Sequence, residues 1–171
     1  MSDKPIAADD LDRLVRSHLP AAVRFATRLT GNSSSGEELV QEALYRVARS
    51  WRTFRQEAEF RTWLFQIIIN ANRDQRRRSN GAPLDLEHSD PKQPPPSERM
   101  LERELKAEIA ACIARLPDRQ REVIVLTTFE ELTIPEVARV LNVTEQNVHS
   151  TLHVARKRLR EELAAYLVEK S

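Results

Sequence analysis

Residues 133–160 run TIPEVARVLNVTEQNVHSTLHVARKRLR, and this stretch decides the fold. Thr133 and Glu136 stand three apart, the spacing at which a helix-capping hydroxyl and a carboxylate satisfy each other's backbone donors. Pro135 falls in the first turn, where its missing N–H costs nothing. The helix so begun turns Val137, Ala138 and Leu141 inward. Asn142 follows where a left-handed residue is needed, and Asn tolerates that conformation best after Gly. Thr144 caps a second helix whose buried stripe is Val148, Leu152, Ala155 and Leu159, at steps of four, three and four. Helix, short turn, helix is the unit that lays its second helix in the DNA major groove. The stripe leaves Gln146, Asn147, His149, Ser150 and His153 outward, with Arg156, Lys157, Arg158 and Arg160 after them. Groups suited to base edges come first and phosphate-binding cations follow. An ordinary αα-hairpin with a polar surface has the same local pattern.

Working upstream, Pro117-Asp118 predicts a helix over 119–129. Val123 to Leu126 has the composition of a strand, but its flanks favour helix. Before it, Met100, Leu101, Leu105, Ile109 and Ile113 form an inward stripe. Residues 79–97, SNGAPLDLEHSDPKQPPPS, hold five of the nine prolines. Proline removes backbone donors and fixes φ, so this segment is expected to be a linker, with a reach of roughly 60 Å when extended. It divides the chain into units at 1–78 and 98–171, each large enough for three or four helices. In the first unit Leu11, Leu14, Val15, Val23, Ala26 and Leu29 recur at helical spacing, and Gly31 ends that helix. Ser35 and Glu38 have the capping-box spacing and are expected to start a second helix, with Leu39, Val40, Ala43, Leu44, Val47 and Ala48 inward. Residues 53–59 break the pattern. A third helix runs from Phe60 to about Arg78, burying Phe60, Trp63, Leu64, Ile67, Ile68 and Ala71. The class is all-α: two small helical domains.

Composition excludes much else. With three Gly, placed at 31, 36 and 81, the Gly-rich phosphate loops have neither the number nor the spacing they need. No HExxH, CxxC or GxSxG occurs, so no catalytic residue is expected. His149 and His153 are four apart but lack a third ligand nearby, so neither metal nor cofactor is expected. Apolar runs fall far short of the roughly 20 residues of a membrane span, and the N-terminus has no secretory pattern. The single cysteine, Cys112, sits on an apolar helix as an inert core residue, and its lack of a partner suits a cytoplasmic protein. The net charge of +1 conceals segregation. Residues 43–78 carry nine basic and three acidic side chains, and residues 149–160 carry four basic and no acidic ones. Two positive patches on a neutral chain suggest a polyanion held at two places. Six of the nine aromatics, Tyr45, Trp51, Phe54, Phe60, Trp63 and Phe65, fall in the first patch. Such interleaving suits single-stranded DNA, although Trp51, Phe60 and Trp63 also have the spacing of core residues.

Residues 132–163, LTIPEVARVLNVTEQNVHSTLHVARKRLREEL, resemble region 4 of bacterial sigma factors, and residues 37–78, EELVQEALYRVARSWRTFRQEAEFRTWLFQIIINANRDQRRR, resemble region 2. Their order, and a linker in place of further regions, resemble the extracytoplasmic-function (ECF) group of the sigma-70 family. The resemblance implies a factor that binds core RNA polymerase and directs promoter-specific initiation. It implies that Leu39, Gln41 and Glu42 dock on the β′ clamp helices, with the β flap as a second polymerase contact. For the −10 element it implies that Arg55, Gln56, Glu57 and Ala58 shape a pocket for an extruded base, with Asn70 and Arg73 adjoining. Arg76, Arg77 and Arg78 carry charge without a base code and are expected on phosphates. For the −35 duplex it implies Gln146, Asn147, His149, Ser150, His153, Arg156, Lys157 and Arg158. His149, Thr151 and Val154 stand where relatives are often basic, which leaves the promoter sequence open. Little sequence lies beyond the two units, so regulation is expected in trans, by an anti-sigma factor. The alternatives are a polymerase-independent helix-turn-helix regulator, which leaves the aromatic and basic first unit unexplained, and a helical adaptor that binds only proteins.

Overall fold

The computed structural model describes residues 8–54, 59–79 and 97–169. Seven α-helices follow in order: α1 (Ala8–Thr30), α2 (Ser33–Ser50), α3 (Phe60–Arg78), α4 (Ser97–Arg115), α5 (Asp118–Ile124), α6 (Ile134–Leu141) and α7 (Glu145–Glu169). No strand occurs among the described residues, so the class is all-α, and the segment 123–126 is helical and fully buried. The expected linker lies, but for its first and last residues, outside the described residues.

In the first half, α1 runs unbroken through Pro20. Ala22, Phe25, Ala26 and Leu29 of α1 are completely buried against α2 and α3. Gly31 closes the helix at φ 84°. The next helix starts three residues earlier than the Ser35–Glu38 spacing predicts. Asn32 is extended at φ −148°, and its side chain accepts the Ser35 amide at 2.7 Å. Asn32 is buried directly behind the Gly31 turn, so it is placed to cap before Ser35 can. Ser35 and Gly36 then lie inside the helix, where α2 passes closest to α1. Ala48, expected inward, is exposed.

α3 is apolar on more than one face. Phe60, Leu64, Ile68 and Ala71 are buried as their spacing predicts, but so are Thr62, Phe65, Ile69 and Asn72. The cause is a second layer: α3 packs on α1 and α2 and also on α6 of the other half. Phe65 stacks on Phe25 with ring centroids 4.4 Å apart. Fully burying a side chain of this kind contributes about 1.5–3 kcal/mol. Phe54, Phe60 and Trp63 form an aromatic cluster at the start of α3.

In the second half, α4 enters the core through Cys112, Ile113 and Ala114, with Ile109 packed against it and Leu116 just beyond. Leu105 is 39% exposed, a departure from the apolar stripe. The chain then passes through a π-turn, Val125–Phe129, and Glu131 at φ 54°. The Thr133 amide donates to the Glu136 carboxylate at 2.7 Å, and Asn142 is left-handed at φ 54°, ψ 54°. Thr144 Oγ1 accepts the Asn147 amide at 3.2 Å. Each local stop and start of the helix-turn-helix thus forms as its residues dictate. Buried side chains of both halves join one continuous cluster.

A Cβ added at Gly36 would sit 2.8 Å from the Thr27 backbone. Gly36→Ala improves helix propensity by under about 1 kcal/mol, and forcing α1 and α2 apart costs more, about 1–3 kcal/mol. The substitution is expected to lower the urea midpoint; a raised midpoint would contradict the close approach.

Candidate nucleic-acid interface

α7 is 25 residues long and is held to the body by Val148, Leu152 and Ala155, all buried. That stripe fixes its rotation. Gln146, Asn147, His149, Ser150, His153, Arg156, Lys157 and Arg158 are therefore all exposed, and the structure brings every one of them to the free surface of a single helix. It also sorts them. His149, His153, Arg156, Lys157 and Arg160 line one open groove along the helix. Arg158 lies on the opposite flank, where its Nε reaches Glu162 at 3.3 Å, and Glu162 also takes Arg115 of α4 at 3.2 Å. Lys157 is 4.0 Å from Glu161 and remains exposed. Val154, half-exposed among these polar groups, adds an apolar spot.

The residues expected to take a single strand are divided. Arg55, Gln56, Glu57 and Ala58 lie outside the described residues. Asn70, Arg73 and Arg77 follow at steps of three and four along one stripe of α3. Asn70 and Arg77 are exposed, and Arg77 pairs with Asp74. Arg46 of α2 reaches the same Asp74 at 2.8 Å, and these two hydrogen bonds, that of Arg46 foremost, hold the Asp74 carboxyl below its usual pKa. The guanidinium groups of Arg73 and Arg76 reach carboxylates of the second half. Arg73 holds the Glu122 carboxylate with both arms, Nε to Oε1 at 3.0 Å and Nη2 to Oε2 at 2.7 Å. Arg76 Nε meets Asp118 Oδ2 at 2.8 Å.

Glu122 and Glu130 escape a sequence-based reading. Glu130 is 4% exposed and receives Arg28 at 3.2 Å and Arg61 at 3.0 Å, while Arg61 also donates to its backbone carbonyl at 2.7 Å. Arg121, 3% exposed, donates to Leu29 O at 3.0 Å and Leu116 O at 2.7 Å. Burial pulls its guanidinium below the usual pKa, and Asp118 at 3.2 Å opposes that shift. The partners that meet across the two halves are 42 to 102 residues apart in the chain, so no local spacing announces them.

On α2, Leu39 is completely buried and anchors the helix from beneath, Gln41 is exposed, and Glu42 receives Arg46 Nε at 2.7 Å. Glu38, Gln41 and Tyr45 form the free stripe above Leu39, with Tyr45 58% exposed. Tyr45 is the exposed aromatic that its neighbours' core spacing conceals.

Residues 14–81 match the family Sigma-70 region 2, and residues 106–159 match Sigma-70 region 4. The chain is 33% identical over 163 residues to the ECF RNA polymerase sigma factor SigE of Mycolicibacterium smegmatis, covering 92% of this chain and 63% of that protein. It is 30% identical over 159 residues to the ECF RNA polymerase sigma factor SigM of Mycobacterium tuberculosis, covering 91% of this chain and 78% of the relative. Among solved structures it is similar to CnrH in complex with the cytosolic domain of CnrY, with a TM-score of 0.68 and 27% identity over 90% of this chain and 87% of the other. The fold also matches the sigma factor RpoE in complex with the anti-sigma factor NepR from Bartonella quintana, with a TM-score of 0.73 at 22% identity over 92% and 98%.

Cys112 is the chain's sole thiol, and burial, aided by its hydrogen bond to Glu108, pushes it up to about 11. At pH 8 the thiolate fraction is then on the order of one in a thousand. A thiol reagent added at pH 8 is expected to leave the folded chain unmodified and to react within minutes in denaturant. Rapid labelling of the folded chain would contradict this placement.

Proposed function

We propose that this chain, which belongs to the ECF RNA polymerase sigma factors of the sigma-70 family, brings core RNA polymerase to promoters and starts transcription there. In this reading α7 holds the −35 duplex, while α3 and the loop before it take the opened −10 strand. The observation that carries the proposal is the outward face of α7, polar at its start and cationic after it. Backbone phosphates supply affinity and base edges supply specificity. Gln146, Asn147, Ser150 and His153 are suited to the edges, Arg156, Lys157 and Arg160 to the phosphates, and Val154 to a thymine methyl.

The free stripe Glu38–Gln41–Tyr45 is the proposed dock for the polymerase β′ clamp helices, supported from below by Leu39 and flanked by Glu42. The β flap is the proposed second contact, through the region 4 half. Extruding a base costs a few kcal/mol of unstacking. The residues assigned to that pocket are Arg55, Gln56, Glu57 and Ala58, with Asn70 and Arg73 beside it and Arg76, Arg77 and Arg78 on the backbone. No catalytic step is assigned to this chain, since nucleotide chemistry belongs to polymerase. The proposed location is the cytoplasm, and among the described residues no helix is long and apolar enough to cross a membrane. An anti-sigma protein is the proposed regulator; recovering only polymerase with the chain under every growth condition would remove that part.

Run-off transcription with purified core polymerase on a random promoter library, followed by sequencing of active templates, tests the whole reading. Core polymerase with the chain is expected to yield templates sharing two spaced elements. Arg156→Ala with Lys157→Ala is expected to cut initiation at least tenfold and to lower the salt slope of promoter binding by about 1.8. Binding to core polymerase should be unchanged by that pair, whereas Gln41→Ala with Tyr45→Ala weakens it. Tight, specific duplex binding by the chain alone, with no initiation on adding core polymerase, would point to a free-standing helix-turn-helix regulator.

A further inference from the structure

We infer that promoter recognition by α7 is proton-linked: His149 and His153 meet the −35 duplex as imidazolium groups, so the element is held more tightly at acid than at alkaline pH. The inference rests on the proposed role of α7 as the −35 helix. The two side chains stand one turn apart on the same flank, and both are exposed. They line one groove with Arg156, Lys157, Arg160 and Glu161. Among the described residues neither imidazole has a hydrogen-bond or ion-pair partner, so each is open to a ligand.

The chemistry of the ring sets these two residues apart from the cations that follow. Arginine and lysine ordinarily keep their charge near neutrality, whereas histidine is the side chain that ordinarily gains or loses it there. A neutral imidazole offers one donor and one acceptor, and an imidazolium offers two donors. Guanine presents two acceptors, O6 and N7, to the major groove, and a phosphate presents acceptors alone. An imidazolium therefore serves a guanine edge with one N–H and an adjacent phosphate with the other, while the neutral ring can donate to only one of them. A duplex laid along this flank brings phosphates beside both rings, and a neighbouring anion favours the charged form. Binding and proton uptake then reinforce each other. The gain is present at low pH and is lost as pH rises through the range in which the bound rings release their protons.

The surroundings leave this role to the two histidines. Among the described residues no side chain of α4, α5 or α6, the helices packed on α7, lines the groove. Their charges are engaged elsewhere: Arg115 by Glu108 and Glu162, Asp118 by Arg76 and Arg121, Glu122 by Arg73 and Arg119, and Glu136 by Thr133. Arg139 of α6 is exposed. Of the residues that line the groove, only His149 and His153 ordinarily change charge near neutrality.

The test measures promoter binding by core polymerase with the full-length chain at pH 6.2 and 8.0, on duplex templates selected from the random library. The wild type is expected to bind at least fivefold more tightly at pH 6.2, with a salt slope steeper by about 1. Library selection repeated at the two pH values is expected to enrich guanine in the upstream element at pH 6.2. His149→Gln/His153→Gln, which keeps polar side chains that do not titrate, is expected to bring the ratio between the two pH values below twofold. His149→Arg/His153→Arg, with fixed charge, is expected to remove the ratio while keeping binding tight at both. A wild-type ratio no larger than that of the Gln variant overturns the proton linkage. Arg156→Ala/Lys157→Ala is expected to weaken binding at both pH values and to preserve their ratio. If that pair leaves binding unchanged at both, the assignment of α7 to the −35 duplex fails instead.

Discussion

The interaction on which the rest depends is a set of carboxylates buried between the two halves, each met by guanidinium groups. Glu122 and Glu130 are nearly inaccessible to water, and an ionised carboxylate in that position is costly unless it is paired and hydrogen-bonded. Arg73 supplies two bonds to one, and Arg28 and Arg61 supply charge to the other. The pairs explain why α3, an element of the first half, is buried on faces that its own bundle does not cover. Phe65 meets Phe25 of α1 within its own bundle, and α6 of the second half packs on α3 as well.

This arrangement sets the logic of the proposed function. The end of α3 carries a row of arginines, and an isolated row of like charge repels itself. Pairing Arg73 and Arg76 with carboxylates of the second half offsets that repulsion. Surface pairs elsewhere, such as Arg16–Asp12 on α1, contribute far less because water screens them. Ion pairs between the halves and ion pairs along one helix therefore belong to different classes of effect, although their distances are alike.

What the sequence reveals and conceals follows from range. The helix-turn-helix is legible because its determinants are local: Thr133 with Glu136, Asn142 in the left-handed turn, Thr144 with the amide of Asn147. The exposed face of α7 follows from the same periodicity. The Ser35 start is misplaced because two capping residues compete, and burial of Asn32 behind Gly31 decides between them. Leu105 belongs to an apolar stripe and is nevertheless exposed, since a stripe cannot say where the neighbouring helices end. The carboxylate joint is illegible for a different reason: Glu122 and Glu130 look like ordinary charges, and the partners they meet in the first half are tens of residues away.

The rear of α7 has a mechanical consequence. Its 25 residues span about 37 Å at 1.5 Å per residue, and Glu162, past the midpoint, clasps both Arg158 of its own helix and Arg115 of α4. Near its start the same rod is seated on the body by Val148, Leu152 and Ala155. Gripped at both places, it cannot swing at one end without disturbing its hold at the other.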